Sequence, residues 1–259
     1  MTASDPTPAP PLALSRKAAI VGVGGLGCPA AWVLARSGVA LRLLDEDRVE
    51  RSNLHRQMLF TAGDVGRRKV DAAARSLAAW APVEAIAEHV SPDNVLARLD
   101  GCDVVVEGSD NLATKFLVAD ACRRLGVPVV HGACVGWHGT VVPVVWGRGA
   151  CYRCLFEDLP IGDDAPDCAT AGVYGPVTSV VGALMAADAL ALLAGDFARA
   201  GAVARYDGWT QRFRATPLAR RPDCSLCGDG APSPTLTASR YGFVCGLDEA
   251  ADPSPETPR

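Results

Sequence analysis

The sequence predicts an α/β fold with a Rossmann-like, mostly parallel sheet flanked by helices and carrying an antiparallel extension. In the first half of the chain, short apolar runs alternate with segments of helical periodicity, which is typical of doubly wound sheets. A glycine-rich turn, GVGGLG at 22–27, joins the first apolar run to a helix. After residue 139 the alternation stops and short strands dominate, which indicates antiparallel pairing.

The predicted elements follow in chain order. The apolar runs predict strands at 18–23, 40–44, 83–89, 103–107 and 128–131. Helical periodicity predicts helices at 25–37, 66–80 and 112–125, with a helical turn starting at Ser91. The second half predicts an antiparallel strand at 140–146, a long apolar helix at 183–193, and short strands at 202–206 and 211–215.

The composition describes an ordinary soluble protein. The chain has 259 residues, 49% of them hydrophobic, and a formal net charge of -4, so it can bury one large core and shows no basic excess for nucleic acid. Ser179 and Asp188 interrupt its most apolar stretch, and the N-terminus lacks the apolar segment of a signal peptide. We therefore expect a cytoplasmic protein that binds neither a membrane nor nucleic acid.

The turn after the first strand has the form G-x-G-x-x-G, at Gly22, Gly24 and Gly27. Glycines at these positions let the backbone approach phosphate groups at a helix N-terminus. Asp45, at the end of the second predicted strand, suits a ribose hydroxyl. Alone, this pattern points first to NAD or FAD.

The segment after Asp45 favours ATP instead. Its polar residues are too closely set for an ordinary dinucleotide fold: Asp47, Asn53, Arg56 and Gln57. A dehydrogenase needs no cation here, whereas ATP needs cations on its β- and γ-phosphates. Doubly wound sheets bind ligands at the carboxyl ends of their strands, and three polar residues share such ends: Asp45, Asp110 and His131.

Two C-x-x-C pairs lie far apart in the chain: Cys151, Cys154, Cys224 and Cys227. Four thiolates in two such pairs fit a tetrahedral structural zinc site, which completes the predicted fold. The alternative is one or two disulfides, and a redox C-x-x-C normally occurs singly. The remaining cysteines in apolar or helical contexts are expected to be small core residues: Cys28, Cys102, Cys122 and Cys134.

Four segments in combination resemble the HesA/MoeB/ThiF adenylyltransferases, which are bacterial relatives of the ubiquitin-activating enzymes: GVGGLG, LLDEDRVERSNLHRQ, GRRKVDAA and GSDN. The resemblance implies adenylation of the C-terminal glycine of a small ubiquitin-like sulfur-carrier protein ending in Gly-Gly. ATP with Mg²⁺ would supply the adenylyl group. A separate sulfur donor protein would then convert the acyl-adenylate into a thiocarboxylate.

The resemblance also implies roles for individual residues. Asp45 would bind the ribose, Asn53 and Arg56 the phosphates, and Lys69 the α- and β-phosphates. Asp110 would hold magnesium and be essential for adenylation. The full set of predicted nucleotide-binding residues is Gly22, Gly24, Gly25, Gly27, Asp45, Asp47, Asn53, Arg56, Gln57, Lys69, Asp110 and Asn111.

Cys168 matches a loop position that in the thiamine branch of the family bonds covalently to the carrier. A loop thiolate can attack an acyl-adenylate, so Cys168 joins Arg56, Lys69 and Asp110 as a predicted catalytic residue. The family implies a homodimer, but the R-Y-x-R-Q segment that contributes an arginine to the neighbouring subunit's ATP is not found before Ala18. The arginine that follows D-N-x-x-x in the family is Lys115 here.

The resemblance divides the chain into three parts. Residues 1–14 are expected to be a disordered, proline-rich tail. Residues 15–228 would form the adenylation domain, with a nucleotide-binding part at about 15–135 and a carrier-binding and zinc part at about 136–228. Residues 229–259 are expected to be a flexible C-terminal tail.

Three other functions are considered beside this one. A related enzyme could adenylate a peptide or another carboxylate. An NAD-dependent oxidoreductase would share only the glycine turn and Asp45. A non-catalytic subunit would be expected to lose Arg56, Lys69 or Asp110, and all three are present.

Overall fold

The computed structural model describes residues 16–157 and 172–242. Its strands form one sheet in the order β3-β2-β1-β4-β5-β6-β7-β8. The strands are β1 (Lys17–Val21), β2 (Ala40–Leu44), β3 (Val83–Ile86), β4 (Val104–Glu107), β5 (Val129–Val135), β6 (His138–Val144), β7 (Ala202–Asp207) and β8 (Arg212–Pro217).

Helices cover both faces of the sheet. They are α1 (Gly27–Arg36), α2 (Lys69–Leu77), α3 (Val95–Leu99), α4 (Leu112–Leu125), α5 (Tyr152–Leu155) and α6 (Gly175–Leu193). Helices α1, α2 and α6 share a hydrophobic core on one face, and α3, α4 and α5 share one on the other. Short 3₁₀ turns occur at Arg51–Asn53, Ala62–Asp64 and Ala238–Tyr241.

The strands from β3 to β5 are parallel and those from β5 to β8 are antiparallel, which confirms the predicted architecture. At its centre Ile20 of β1 lies beside Leu43 of β2 and Val106 of β4, both in parallel register. From β5 onward neighbouring strands are antiparallel, beginning with His131 opposite Val142. The carboxyl ends of β1, β2 and β4 therefore meet at one edge, as the sequence predicts.

Helix α6 is longer than the predicted 183–193 and begins at Gly175. The first two turns contain Thr178 and Ser179, whose hydroxyls weaken the apolar signal in the sequence. In the fold both hydroxyls donate to the carbonyl oxygen of Gly175, at 2.8 and 3.0 Å, so they are satisfied within the helix.

Among the residues that the structure describes, α6 is the one helix long and apolar enough to cross a membrane. Its surroundings are those of a core helix. It packs against α1, β5 and β6, and Val181 and Met185 are fully buried there. The apolar length of α6 thus follows from burial against the sheet.

The start of the expected flexible tail is packed on the domain. Tyr241 is 2% exposed, and its hydroxyl donates to Asp120 Oδ2 on α4 at 2.8 Å. Arg240 Nε donates to the same oxygen at 3.2 Å. The structure therefore describes residues 229–242 and shows contacts with α4 at their end, while a flexible tail from residue 229 stays a prediction. Residues 1–15 and 243–259, with Cys245, lie outside the described part.

Three buried cysteines behave as predicted core residues. Cys28, Cys102 and Cys122 lie against apolar side chains of the two cores. Burial raises the pKa of the Cys28 thiol to about 12 and raises those of Cys102 and Cys122. These thiols stay protonated, so they act as small apolar groups.

Candidate functional site

The glycine turn brings the backbone between β1 and α1 to the edge of a cleft. Gly22 has a φ of +84°, which residues with a side chain rarely adopt. A Cβ at Gly27 would clash with the carbonyl oxygen of Gly22, so α1 can start this close to β1 only with glycine there. The N–H of Val23 donates to Asp45 Oδ2 at 2.7 Å, which fixes the turn beside the end of β2.

The cleft at the carboxyl ends of the parallel strands has a volume of about 720 Å³, large enough for a nucleotide. Of the predicted nucleotide-binding residues, only Gly27 does not line it, because Gly27 faces the strand behind the turn. The lining residues from the predicted set are Gly22, Gly24, Gly25, Asp45, Asp47, Asn53, Arg56, Gln57, Lys69, Asp110 and Asn111.

Lys69 is the first residue of α2, which begins three residues after the predicted start at 66. The observed helix starts later than the predicted 66–80 because residues 66–69 form backbone hydrogen bonds with the segment that follows β2. The N–H of Gly66 donates to the carbonyl of Val49 at 2.8 Å, and the N–H of Lys69 donates to that of Asp47 at 2.9 Å. This pairing holds Lys69 at the wall of the cleft.

Two carboxylates face the Lys69 ammonium. Its Nζ lies 2.6 Å from Asp47 Oδ2 and 3.9 Å from Asp45 Oδ1, and Lys69 is 5% exposed. Burial raises the pKa of Asp45, while the positive charge of Lys69 opposes that rise. The arrangement keeps a cation inside the cleft beside the strand end predicted to bind ribose.

Arg56 and Asn53 form one polar unit that also lines the cleft. Arg56 Nη2 donates to Asn53 Oδ1 at 2.7 Å, so the amide orients the guanidinium. Gln57 beside them is 3% exposed, and its Oε1 has no hydrogen-bond partner among the described residues. An unpartnered buried amide oxygen that lines a cleft fits a bound polar ligand.

The loop after β4 presents Asp110 to the cleft. Asp110 is exposed, whereas Asn111 caps α4 by accepting a 2.8 Å hydrogen bond from the N–H of Thr114. An exposed carboxylate beside a cationic cleft is a suitable magnesium ligand, since Mg²⁺ prefers oxygen ligands and keeps several waters. The role of Asp110 stays a prediction.

Beneath this loop lies a buried charged cluster that the sequence predicts only in part. The sequence marks Lys115 and His131, but it places Glu107 at the end of an apolar strand. Glu107 is fully buried, and its Oε2 accepts from Lys115 Nζ at 2.8 Å and from His131 Nδ1 at 3.2 Å. A charged residue at the inner end of a buried strand was the available signal.

The four predicted zinc ligands come together away from the cleft. Their Sγ atoms all lie within 4.8 Å of one another. The Sγ–Sγ distances are 3.9 Å for Cys151–Cys154, 3.6 Å for Cys151–Cys224 and 3.4 Å for Cys154–Cys227, and no disulfide joins these four. A tetrahedral zinc with Zn–S bonds of about 2.3 Å needs sulfurs roughly 3.8 Å apart, so the cluster fits the ion.

We expect Cys151→Ser or Cys227→Ser to lower the melting temperature by about 10 °C and to leave the catalytic rate constant of the folded enzyme nearly unchanged. The reason is that the cluster ties two distant segments together and lines no part of the cleft. Differential scanning calorimetry with zinc analysis checks this. Cys102→Ser, a buried cysteine outside the cluster, is the control for zinc content, and protein purified without chelators that contains no zinc would contradict the assignment.

The chemistry of the cleft fits ATP with magnesium. Arg56 and Lys69 place two cationic side chains at the cleft, where phosphates could pair with them, and Asp110 places a carboxylate there that could hold the metal. The glycine turn leaves room for the ligand against the backbone. Cys168 lies outside the described residues, and its predicted covalent role stays a prediction.

Sequence comparison finds two relatives that are each 42% identical to this chain. One is "SAMP-activating enzyme E1" of Haloferax volcanii, which aligns over 84% of this chain and 82% of its own length. The other is "Sulfur carrier protein adenylyltransferase" of Thermus thermophilus, which aligns over 88% of this chain and 87% of its own. These shares show that the similarity extends over nearly the whole chain.

The fold is also similar to a solved structure, E. coli MccB with ATP. The TM-score is 0.69 and the sequence identity 26%, over 82% of this chain and 67% of the other. The ThiF family model matches residues 12–226, a range that includes the glycine turn, the strand ends around the cleft and three of the four clustered cysteines, Cys151, Cys154 and Cys224. The chain is therefore a member of the ThiF family.

Proposed function

We propose that this chain adenylates the C-terminal glycine of a small ubiquitin-like sulfur-carrier protein. The observation that carries the proposal is the cleft, where Arg56, Lys69 and Asp110 line one cavity at the strand ends of a ThiF-family fold. The names of the two 42% identical relatives, an activating E1 and a sulfur-carrier adenylyltransferase, support the same substrate class.

In the proposed mechanism Arg56 and Lys69 bind the phosphates of ATP, and Asp45 binds the ribose. Magnesium, held by Asp110, would neutralise charge on the phosphate oxygens. A carboxylate oxygen of the carrier's last glycine attacks the α-phosphorus, and the bond to the bridging oxygen of the β-phosphate breaks. Pyrophosphate leaves with that electron pair, and the product is a carrier acyl-adenylate.

The proposal includes further partners. A separate protein would donate sulfur to the acyl-adenylate, and the enzyme would act as a homodimer in the cytoplasm. Isolating the bound partner and finding a small protein ending in Gly-Gly would identify the carrier, whereas exchange stimulated by a peptide would favour the peptide-adenylating alternative.

We expect ATP to bind in a magnesium-dependent manner and NAD to bind negligibly. ATP has a third phosphate and therefore more negative charge than the pyrophosphate of NAD. Arg56 and Lys69 supply the cations that pair with this additional charge. Isothermal titration calorimetry with ATP and NAD, each with and without Mg²⁺, makes the measurement. Magnesium-independent binding of NAD in preference to ATP would contradict this prediction and favour the alternative function of an NAD-dependent oxidoreductase.

Cys168→Ala is expected to retain carrier-dependent ATP–pyrophosphate exchange, because adenylation uses only the phosphate-binding residues and magnesium. Wild-type enzyme incubated with carrier and ATP should form a thiol-sensitive adduct that this variant lacks. Intact-protein mass spectrometry detects the adduct. Loss of exchange in a folded Cys168→Ala protein would show that this division of labour is wrong, and unchanged sulfur transfer without an adduct would make Cys168 a bystander.

A further inference from the structure

Under the loop that carries Asp110, a buried carboxylate holds the backbone in place. Glu107 is the last residue of β4, and its Oε1 accepts a 2.8 Å hydrogen bond from the N–H of Ser109. The Ser109 hydroxyl donates to the same oxygen. The other oxygen, Oε2, faces Lys115 and His131. The Glu107 side chain therefore connects the buried Lys115 and His131 to the loop at the cleft.

The cluster keeps Glu107 ionised in spite of its burial. Burial opposes the charge most strongly, but Lys115 and His131 outweigh it, and the pKa of Glu107 is lowered to about 2. Lys115 Nζ also donates to the carbonyl oxygen of Gly132 at 2.6 Å, so its ammonium is committed to this cluster. Burial lowers the pKa of His131, which favours a neutral ring donating through Nδ1.

A buried ion pair gives little stability over apolar residues of similar volume. The contribution of this ion pair therefore lies in the loop that the Glu107 carboxylate positions. Asp110 is fastened from both sides, because Ser109 is bound to Glu107 and Asn111 caps α4. The loop also touches the glycine turn, since a Cβ at Gly22 would lie 3.0 Å from Ser109 N.

We propose that Glu107 is a positioning residue for the nucleotide site, and that its carboxylate fixes Ser109 so that Asp110 is presented to magnesium. Lys115 and His131 act through Glu107 by holding its charge and its orientation. This inference rests on the proposed adenylation function.

The test compares Glu107→Gln with wild type. A glutamine would place an NH₂ group against Lys115 or Ser109, both donors, so the loop would lose one of its fixed points. We expect the Mg²⁺ concentration for half-maximal ATP binding to rise roughly 10- to 100-fold, as for other residues that orient metal ligands. Binding of ATP without magnesium, which uses Arg56 and Lys69, should change little.

Three further variants separate positioning from general stability. Lys115→Arg keeps a cation facing Glu107 and should retain wild-type magnesium dependence. Ser109→Ala removes only the hydroxyl bond and should give a smaller shift in the same direction. Asp188→Asn alters another buried carboxylate, paired with Arg199 at 3.1 Å outside the cleft, and should lower the melting temperature without changing magnesium dependence.

The outcomes distinguish the two proposals. A wild-type protein without magnesium-dependent ATP binding or carrier-dependent exchange would refute the proposed function. An active wild type whose Glu107→Gln variant loses only thermal stability, like Asp188→Asn, would refute the positioning role alone. If Glu107→Gln does not fold, Ser109→Ala decides, and an unchanged magnesium requirement in that variant overturns the inference.

Discussion

Asp110→Ala is expected to abolish carrier-dependent ATP–pyrophosphate exchange while leaving the fold intact. Asp110 is exposed in the loop after β4, so its removal should cost little stability. In the proposed mechanism it holds the magnesium that neutralises the reacting phosphates. Losing several kcal/mol of such stabilisation corresponds to a rate about a thousandfold lower.

The measurement is isotope exchange between pyrophosphate and ATP in the presence of carrier, with thermal unfolding recorded on the same samples. Asp93→Ala is the matched control, because Asp93 is also exposed but lies outside the cleft. Calorimetry should show that Asp110→Ala still binds ATP weakly but no longer responds to Mg²⁺. Exchange within tenfold of wild type in the variant would mean that Asp110 is not the metal-holding residue.

The parallel half of the fold could be predicted because local signals there agree with the tertiary structure. Strand β2 and helix α4 match their predicted limits of 40–44 and 112–125. In α4 Asn111 supplies the N-cap and Gly126, in the left-handed conformation, ends the helix, so the sequence marks both boundaries. The cysteine cluster was predictable for a similar reason, since C-x-x-C spacing constrains ligand geometry locally.

Other features depend on contacts between distant segments and left little trace in the sequence. Lys69 begins α2 only because Gly66 pairs with Val49, a contact that helix propensity does not encode. The ionised state of Glu107 depends on Lys115 and His131, which come from α4 and β5. Such clusters become visible only when strands and helices are placed side by side.

The C-terminal segment 229–242 is the clearest such case, since composition predicted flexibility there. It is held by Asp120, which is fully buried in α4 and receives hydrogen bonds from three groups. Arg153 of α5 donates to it twice, at 2.8 and 2.9 Å, and Arg240 and Tyr241 donate from the C-terminal segment. One carboxylate thus joins the cysteine-bearing helix, the sheet-covering helix and the end of the described chain.

Asp120→Ala is therefore expected to lower the free energy of unfolding by about 3–5 kcal/mol, because it leaves the Arg153 guanidinium buried without its carboxylate. Tyr241→Phe removes one hydroxyl bond to the same carboxylate and should cost about 1 kcal/mol. Urea unfolding followed by tryptophan fluorescence measures both. Equal and small losses in the two variants would show that Asp120 does not organise this interface.

Limited proteolysis adds an independent measurement on the same variants. Asp120→Ala should expose the 229–242 segment, so cleavage there should precede global unfolding, whereas in wild type this segment should resist until the domain unfolds. Zinc retention should fall with it, since Arg153 lies between Cys151 and Cys154 in α5 and loses its anchor to α4. If the segment is cleaved equally fast in wild type, its packing contributes nothing to stability, and the loss in Asp120→Ala would come from Arg153 alone.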